Sequence, residues 1–99
     1  MDGQRAAVIS AIRDYREYLE FENDFYYGSR KYTLKAWSYV SFTIEYILER
    51  LSEEEKTPPL VLLEDYAEKF HRYSKVNPEN EFIFSVARDT VGEIIDLLS

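Results

Sequence analysis

The chain contains no cysteine. Disulfides, thiol nucleophiles and cysteine-ligated zinc or iron–sulfur centres are therefore excluded. Glycine and proline are scarce, at three each, so few positions force regular structure to stop. Basic residues are the minority charge, 12 Lys and Arg against 19 Asp and Glu, which leaves a formal net charge of −7. An acidic surface opposes sequence-independent capture of nucleic acid. It suits a basic partner, or solubility alone. No apolar run approaches the roughly 20 residues that span a bilayer. The opening MDGQRAAVIS has neither the basic region nor the long apolar region of a secretory leader. The expectation is a cytoplasmic protein that forms one domain over residues 1–99.

Aromatic residues are abundant, with nine Tyr, six Phe and one Trp. A small core cannot enclose all of them, so some tyrosines are expected at a partly exposed rim. That position suits a protein interface.

Four segments carry helical periodicity. From about Gln4 to Tyr26, Val8, Ile12, Tyr15 and Leu19 share one face with Ala11, and most of the charge lies elsewhere. Gly28 then interrupts the pattern, and Ser29 is the expected N-cap of a second helix. That helix runs from about Arg30 to Leu51 or slightly beyond. Its stripe is Trp37, Val40, Ile44, Ile47 or Leu48, and Leu51, widened by Tyr39, Phe42 and Tyr46. So broad an apolar face predicts a central helix, or one that also meets a partner. In TPP, Thr57 is the expected cap and Pro58 the first residue of a third helix, which ends near Lys75. Leu63, Tyr66, Ala67, Phe70 and Ser74 share its face. In NPEN, Asn77 and Pro78 repeat this device, and a fourth helix runs to the C-terminus through Phe84, Ala87, Val91, Ile94 or Ile95, and Leu98. EFIFSVA also fits a short strand, but the unbroken spacing of three and four predicts helix. Gly92 inside this helix costs roughly 1 kcal/mol relative to alanine, and a close helix–helix approach is expected there. Short links between four amphipathic helices predict an all-α fold, an antiparallel up-and-down four-helix bundle.

A faint repeat runs through the chain. DYREYL at residues 14–19 matches DYAEKF at 65–70, and TIEYILERLS at 43–52 matches TVGEIIDLLS at 90–99. The offsets are 51 and 47 residues, and they differ by close to one helical turn. The match predicts two related helical hairpins, with the first and third helices in equivalent roles.

NDFYYGSRKYTLKAW, residues 23–37, sets five aromatics and three basic residues into an acidic chain. The second helix also opposes its own macrodipole, with Arg30, Lys31 and Lys35 at its start and Glu49, Glu53, Glu54 and Glu55 at its end. The structural explanation is a corner between helices, where Glu20, Glu22 and Asp24 face Arg30 and Lys31 beneath covering aromatics. The functional explanation is a weak anion or partner site made of Tyr27, Ser29, Arg30, Lys31, Tyr32 and Lys35. GSRK lacks the glycine spacing of a phosphate-binding loop.

Other candidate chemistry is sparse. Glu68 and His71 have the Glu-x-x-His spacing of carboxylate-bridged metal bundles, but both lie off the apolar stripe. His71 is expected to be a favourable cation near the end of the third helix. Asp89, Glu93 and Asp96 form an acidic line expected to face solvent. No catalytic, metal or cofactor site is predicted, and the chain is not expected to be an enzyme. The expected function is a noncatalytic protein–protein interaction module, self-associating (a homodimer) through an aromatic-rich helix face or binding another protein. The alternative is a regulator that presents its carboxylates to a basic, nucleic-acid-handling protein. A helical enzyme or cofactor binder ranks third. Neither direct nucleic-acid binding nor a membrane is expected.

Overall fold

The computed structural model describes residues 3–23, 33–54 and 56–99. Four α-helices occupy most of this chain: α1 (Gly3–Asn23), α2 (Leu34–Glu53), α3 (Pro59–Val76) and α4 (Glu81–Leu98). The described residues contain no strand, and EFIFSVA opens α4. No described helix is long and apolar enough to cross a membrane.

Helix boundaries follow local chemistry. Thr33 is extended, and its Oγ1 accepts a hydrogen bond from the Ala36 amide at 3.1 Å. Thr33 therefore caps α2, and the start expected at Arg30 with Ser29 as cap lies four residues too early. Gly28, Ser29, Arg30 and Lys31 fall outside the described residues. The third helix starts one residue later than expected. A residue that precedes proline is driven out of the helical region. Pro58, before Pro59, accordingly has φ −55° and ψ 141°, and Pro59 takes the first helical position. The same rule acts on Asn77, before Pro78. Instead of capping forward, Asn77 closes α3, since its backbone amide and Nδ2 both donate to the Tyr73 carbonyl, at 3.1 and 3.2 Å. Pro78–Asn80 then form one 3₁₀ turn ahead of α4.

The expected stripes form the core. Ile12 and Leu19 of α1, Val40, Ile44, Ile47 and Leu51 of α2, Leu63 of α3, and Val91 and Ile94 of α4 are buried together. Each such side chain contributes about 1.5–3 kcal/mol when fully buried. The most extensive helix contact joins α3 to α4, followed by α2 to α4 and α1 to α2. Contacts of α1 with α4 and of α2 with α3 are slight. The central pair is thus α2 and α4, with α1 alongside α2 and α3 alongside α4.

Several positions related by the repeat share their environments, although buried Ile9 corresponds to Leu60, which is 40% exposed. Ile12 and its counterpart Leu63 are both fully buried, as are Ile44 and Val91, and Ile47 is as buried as Ile94. Thr43 and Thr90 are both buried. Each hydroxyl donates to the carbonyl four residues back, Tyr39 at 2.7 Å and Val86 at 2.8 Å. Ser52 and Ser99 make the same bond, to Leu48 and Ile95.

One expectation about α4 fails. A Cβ built on Gly92 meets nothing within 4 Å, so no close helix approach accounts for this glycine. Its counterpart Glu45 pairs with Arg16 at 3.2 Å. At this level α3–α4 has Ala67 and Gly92 where α1–α2 has Arg16 and Glu45.

Candidate functional site

Of the six residues proposed for the aromatic, basic corner, Tyr27, Ser29, Arg30, Lys31 and Tyr32 lie outside the described residues. Lys35 is described, in the first turn of α2. Its Nζ stands 5.6 Å from the centre of the Phe82 ring on α4. The lysine is therefore directed towards α4, where the ring face attracts a cation.

Lys35 marks one end of an aromatic surface spread over α2, α3 and α4. Tyr39 meets Phe82 edge-on at 5.7 Å. Further along, Tyr46 meets Tyr66 edge-on at 5.5 Å, Phe70 stacks at 6.2 Å on Tyr66 and at 6.4 Å on Phe84, and Tyr73 tilts against Phe84 at 5.4 Å. These separations lie within the favourable range for aromatic pairs, worth about 0.5–1.5 kcal/mol each beyond area burial. Arg50 lies 5.6 Å from the Tyr46 ring and Lys69 lies 5.4 Å from the Tyr66 ring. An acidic protein thus gathers cations around its aromatic surface.

Among these rings lies an apolar groove of about 170 Å³. Phe70, Ile83, Phe84 and Ala87 line it together with Thr43, and Phe42 and Tyr46 stand on α2 beside them. Its volume is close to that of an apolar cavity that accepts one benzene, about 150 Å³. Phe42 is 72% exposed, more than any other described phenylalanine, although it borders a groove that would accommodate such a ring. The Thr43 hydroxyl is already directed to the Tyr39 carbonyl, so the groove offers a ligand mainly apolar contact.

Three positions that correspond to this groove on the other side of the central helix pair are buried. Phe70 corresponds to Leu19, Ala87 to Val40 and Ile83 to Ala36, and all three counterparts are buried. Phe42 corresponds to the exposed, charged Asp89, which pairs with Arg88 at 3.1 Å. The two sides differ in their polar pairs as well. Tyr15 donates to Glu93 Oε2 at 2.5 Å, joining α1 to α4. The counterparts of these two residues are Tyr66 and Tyr46, which join α3 to α2. Glu93 is thus half-buried and bonded, contrary to the solvated acidic line expected from sequence, whereas Asp89 and Asp96 are exposed. Burial, followed by a hydrogen bond with Tyr46, pushes the Tyr66 phenol up to about 12.

His71 also differs from expectation. Its Nδ1 lies 3.0 Å from Arg88 Nη1. A guanidinium can only donate, so this ring nitrogen accepts. No group of three or more His, Asp or Glu among the described residues is arranged to hold a metal.

The residue missed by sequence reading is Arg5. Its side chain is buried, with Nη1 donating to the Leu51 carbonyl at 3.0 Å and Nη2 to the Thr57 carbonyl. A cation at the C-terminal end of α2 offsets the adverse dipole expected there. Glu54, next along the chain, accepts from the amides of Lys56 and Thr57, which lowers its carboxyl below the usual range, and Arg5 assists. Arg50 engages Glu53 at 2.7 Å and Glu49 at 3.6 Å. The only sequence signal for Arg5 is a lone basic residue that precedes an apolar stripe, which is too common to single out.

Comparison with protein-family models, with curated proteins and with solved structures finds no match.

Proposed function

We propose that the chain is a noncatalytic protein–protein interaction module, built as an antiparallel up-and-down bundle of two related hairpins, which binds a protein at the α2–α3–α4 aromatic groove. The contact order supports the topology. Arg5 meets Leu51 while Arg16 meets Ser41 and Glu45, so α1 and α2 run in opposite directions. Tyr73 meets Phe84 while His71 meets Arg88, which gives the same sense for α3 and α4. Cytoplasmic residence fits this reading and remains part of the proposal.

The observation that carries the function is Phe42, an exposed phenylalanine beside an open apolar groove. Exposed aromatics around a pocket are the usual anchors of protein interfaces, and the surrounding cations supply a polar rim. The acidic alternative has less support. Glu45 is engaged by Arg16, and Glu53 by Arg50, so part of the α2 acidity is already answered within the chain.

Photo-crosslinking tests the proposal, with benzoylphenylalanine placed at position 42 and, as control, at its counterpart position 89. The expected result is covalent protein adducts from position 42 and few from position 89. Equal yields at the two positions, or none from position 42, would contradict the proposal.

A further inference from the structure

Resting on that reading, we infer that the occupant of the aromatic face is a second copy of this chain, docked with the two α2 helices antiparallel about Phe42. The surface is self-complementary in charge. Lys35, Phe42 and Glu49 are all exposed and lie seven residues apart on α2. Seven residues are nearly two full turns, so the three form a single line, with about 10 Å between neighbours. A twofold axis beside Phe42 brings Lys35 of each copy to Glu49 of the other. It also sets Phe42 of each copy next to the other's apolar groove. A twofold contact requires one patch that complements itself, and this line does so in both charge and shape.

The charge balance of this face bears on self-pairing. A net charge of −7 opposes association of two copies. On this face, however, Lys35, Arg50 and Lys69 stand against aromatic rings, with Arg50 paired to Glu53 and Lys69 to Asp65, so part of the negative charge is already balanced where the copies meet. Glu49 is exposed and holds the longer of Arg50's two ion pairs, 3.6 Å against 2.7 Å to Glu53, so a partner lysine would share it with Arg50.

Sedimentation equilibrium of the full chain, from about 10 μM to about 1 mM, gives the test. The wild type is expected to form a dimer. Phe42→Ala should weaken it by about tenfold or more. Lys35→Glu and Glu49→Lys should each weaken it by about tenfold, because each sets like charges face to face. An equimolar mixture of those two variants should recover the wild-type affinity, since both cross-pairs are again of opposite sign. All three positions are exposed, and circular dichroism confirms that each variant is folded. A wild-type chain that stays monomeric throughout, or a mixture no tighter than its components, would overturn the inference. Crosslinking from position 42 to a different protein would then leave the interaction face in place and remove only self-pairing. Absence of any adduct from position 42 would remove both.

Discussion

The α1–α2 and α3–α4 helix pairs agree at several buried positions and diverge at others. Inside, Ile12 answers Leu63, Ile44 answers Val91, and Thr43 and Thr90 make the same backward hydrogen bond. Outside, Leu19 and Val40 are buried on one flank, and an apolar groove opens among Phe70, Phe84 and Ala87 on the other. Shared interiors are what a bundle requires, because every helix must bury one stripe. The divergence at Phe42 and Asp89 has no such structural necessity. The proposed function rests on it.

The largest expected effect tests the shared interior. Ile12→Ala and Leu63→Ala should each lower the unfolding free energy by about 2–5 kcal/mol in urea titrations, since both sites are fully buried. A cost at Ile12 several times smaller than at Leu63 would break the equivalence of α1 and α3. Next comes a difference between the hairpins. Arg5→Met should cost about 1–3 kcal/mol, because two carbonyls lose buried donors. Its counterpart Lys56 is exposed, so Lys56→Met should stay within about 0.5 kcal/mol of the wild type. A smaller gain is expected from Gly92→Ala, which should raise stability by up to about 1 kcal/mol, as the space is open and the helix favours alanine. A loss would mean that Gly92 is needed for close packing after all.

A further effect concerns pH. Tyr66 ionises near 12 in the folded chain against 10.0 ordinarily. Its contribution is complete below pH 10 and is lost as pH rises from 10 towards 12, because the unfolded chain releases the proton first. Tyr66→Phe should therefore flatten the fall in stability over that window. An unchanged alkaline limb would place the responsible tyrosine elsewhere.

Much of this architecture was legible in the sequence. Val40, Ile44, Ile47 and Leu51 recur at helical spacing, and they are the buried stripe of α2. The helical reading of EFIFSVA also agrees with the structure, because the period of three and four continues through it. The helix starts were less legible. Ser29 and Thr33 are both credible caps by residue type; Thr33 has an extended backbone with its hydroxyl on the Ala36 amide, and Ser29 lies outside the described residues. Gly92 misled for a related reason, since a missing side chain marks either crowding or indifference, and here the space is open. Arg5 and the Tyr15–Glu93 bond were hidden because both depend on partners 46 or more residues away. The groove was hidden for a further reason. Periodicity shows which side of a helix is apolar, but not whether a neighbouring helix fills the space beside it.

The central claim is that the α2–α3–α4 groove accepts an apolar group, and a small apolar probe tests it without knowledge of any partner. Indole titrated into isotope-labelled protein should shift the NMR signals of Phe42, Phe70, Phe84 and Ala87 and leave those of Leu19, Trp37, Val40 and Asp89 in place. Equal shifts on both flanks, or saturable binding at the Leu19 side alone, would contradict the account.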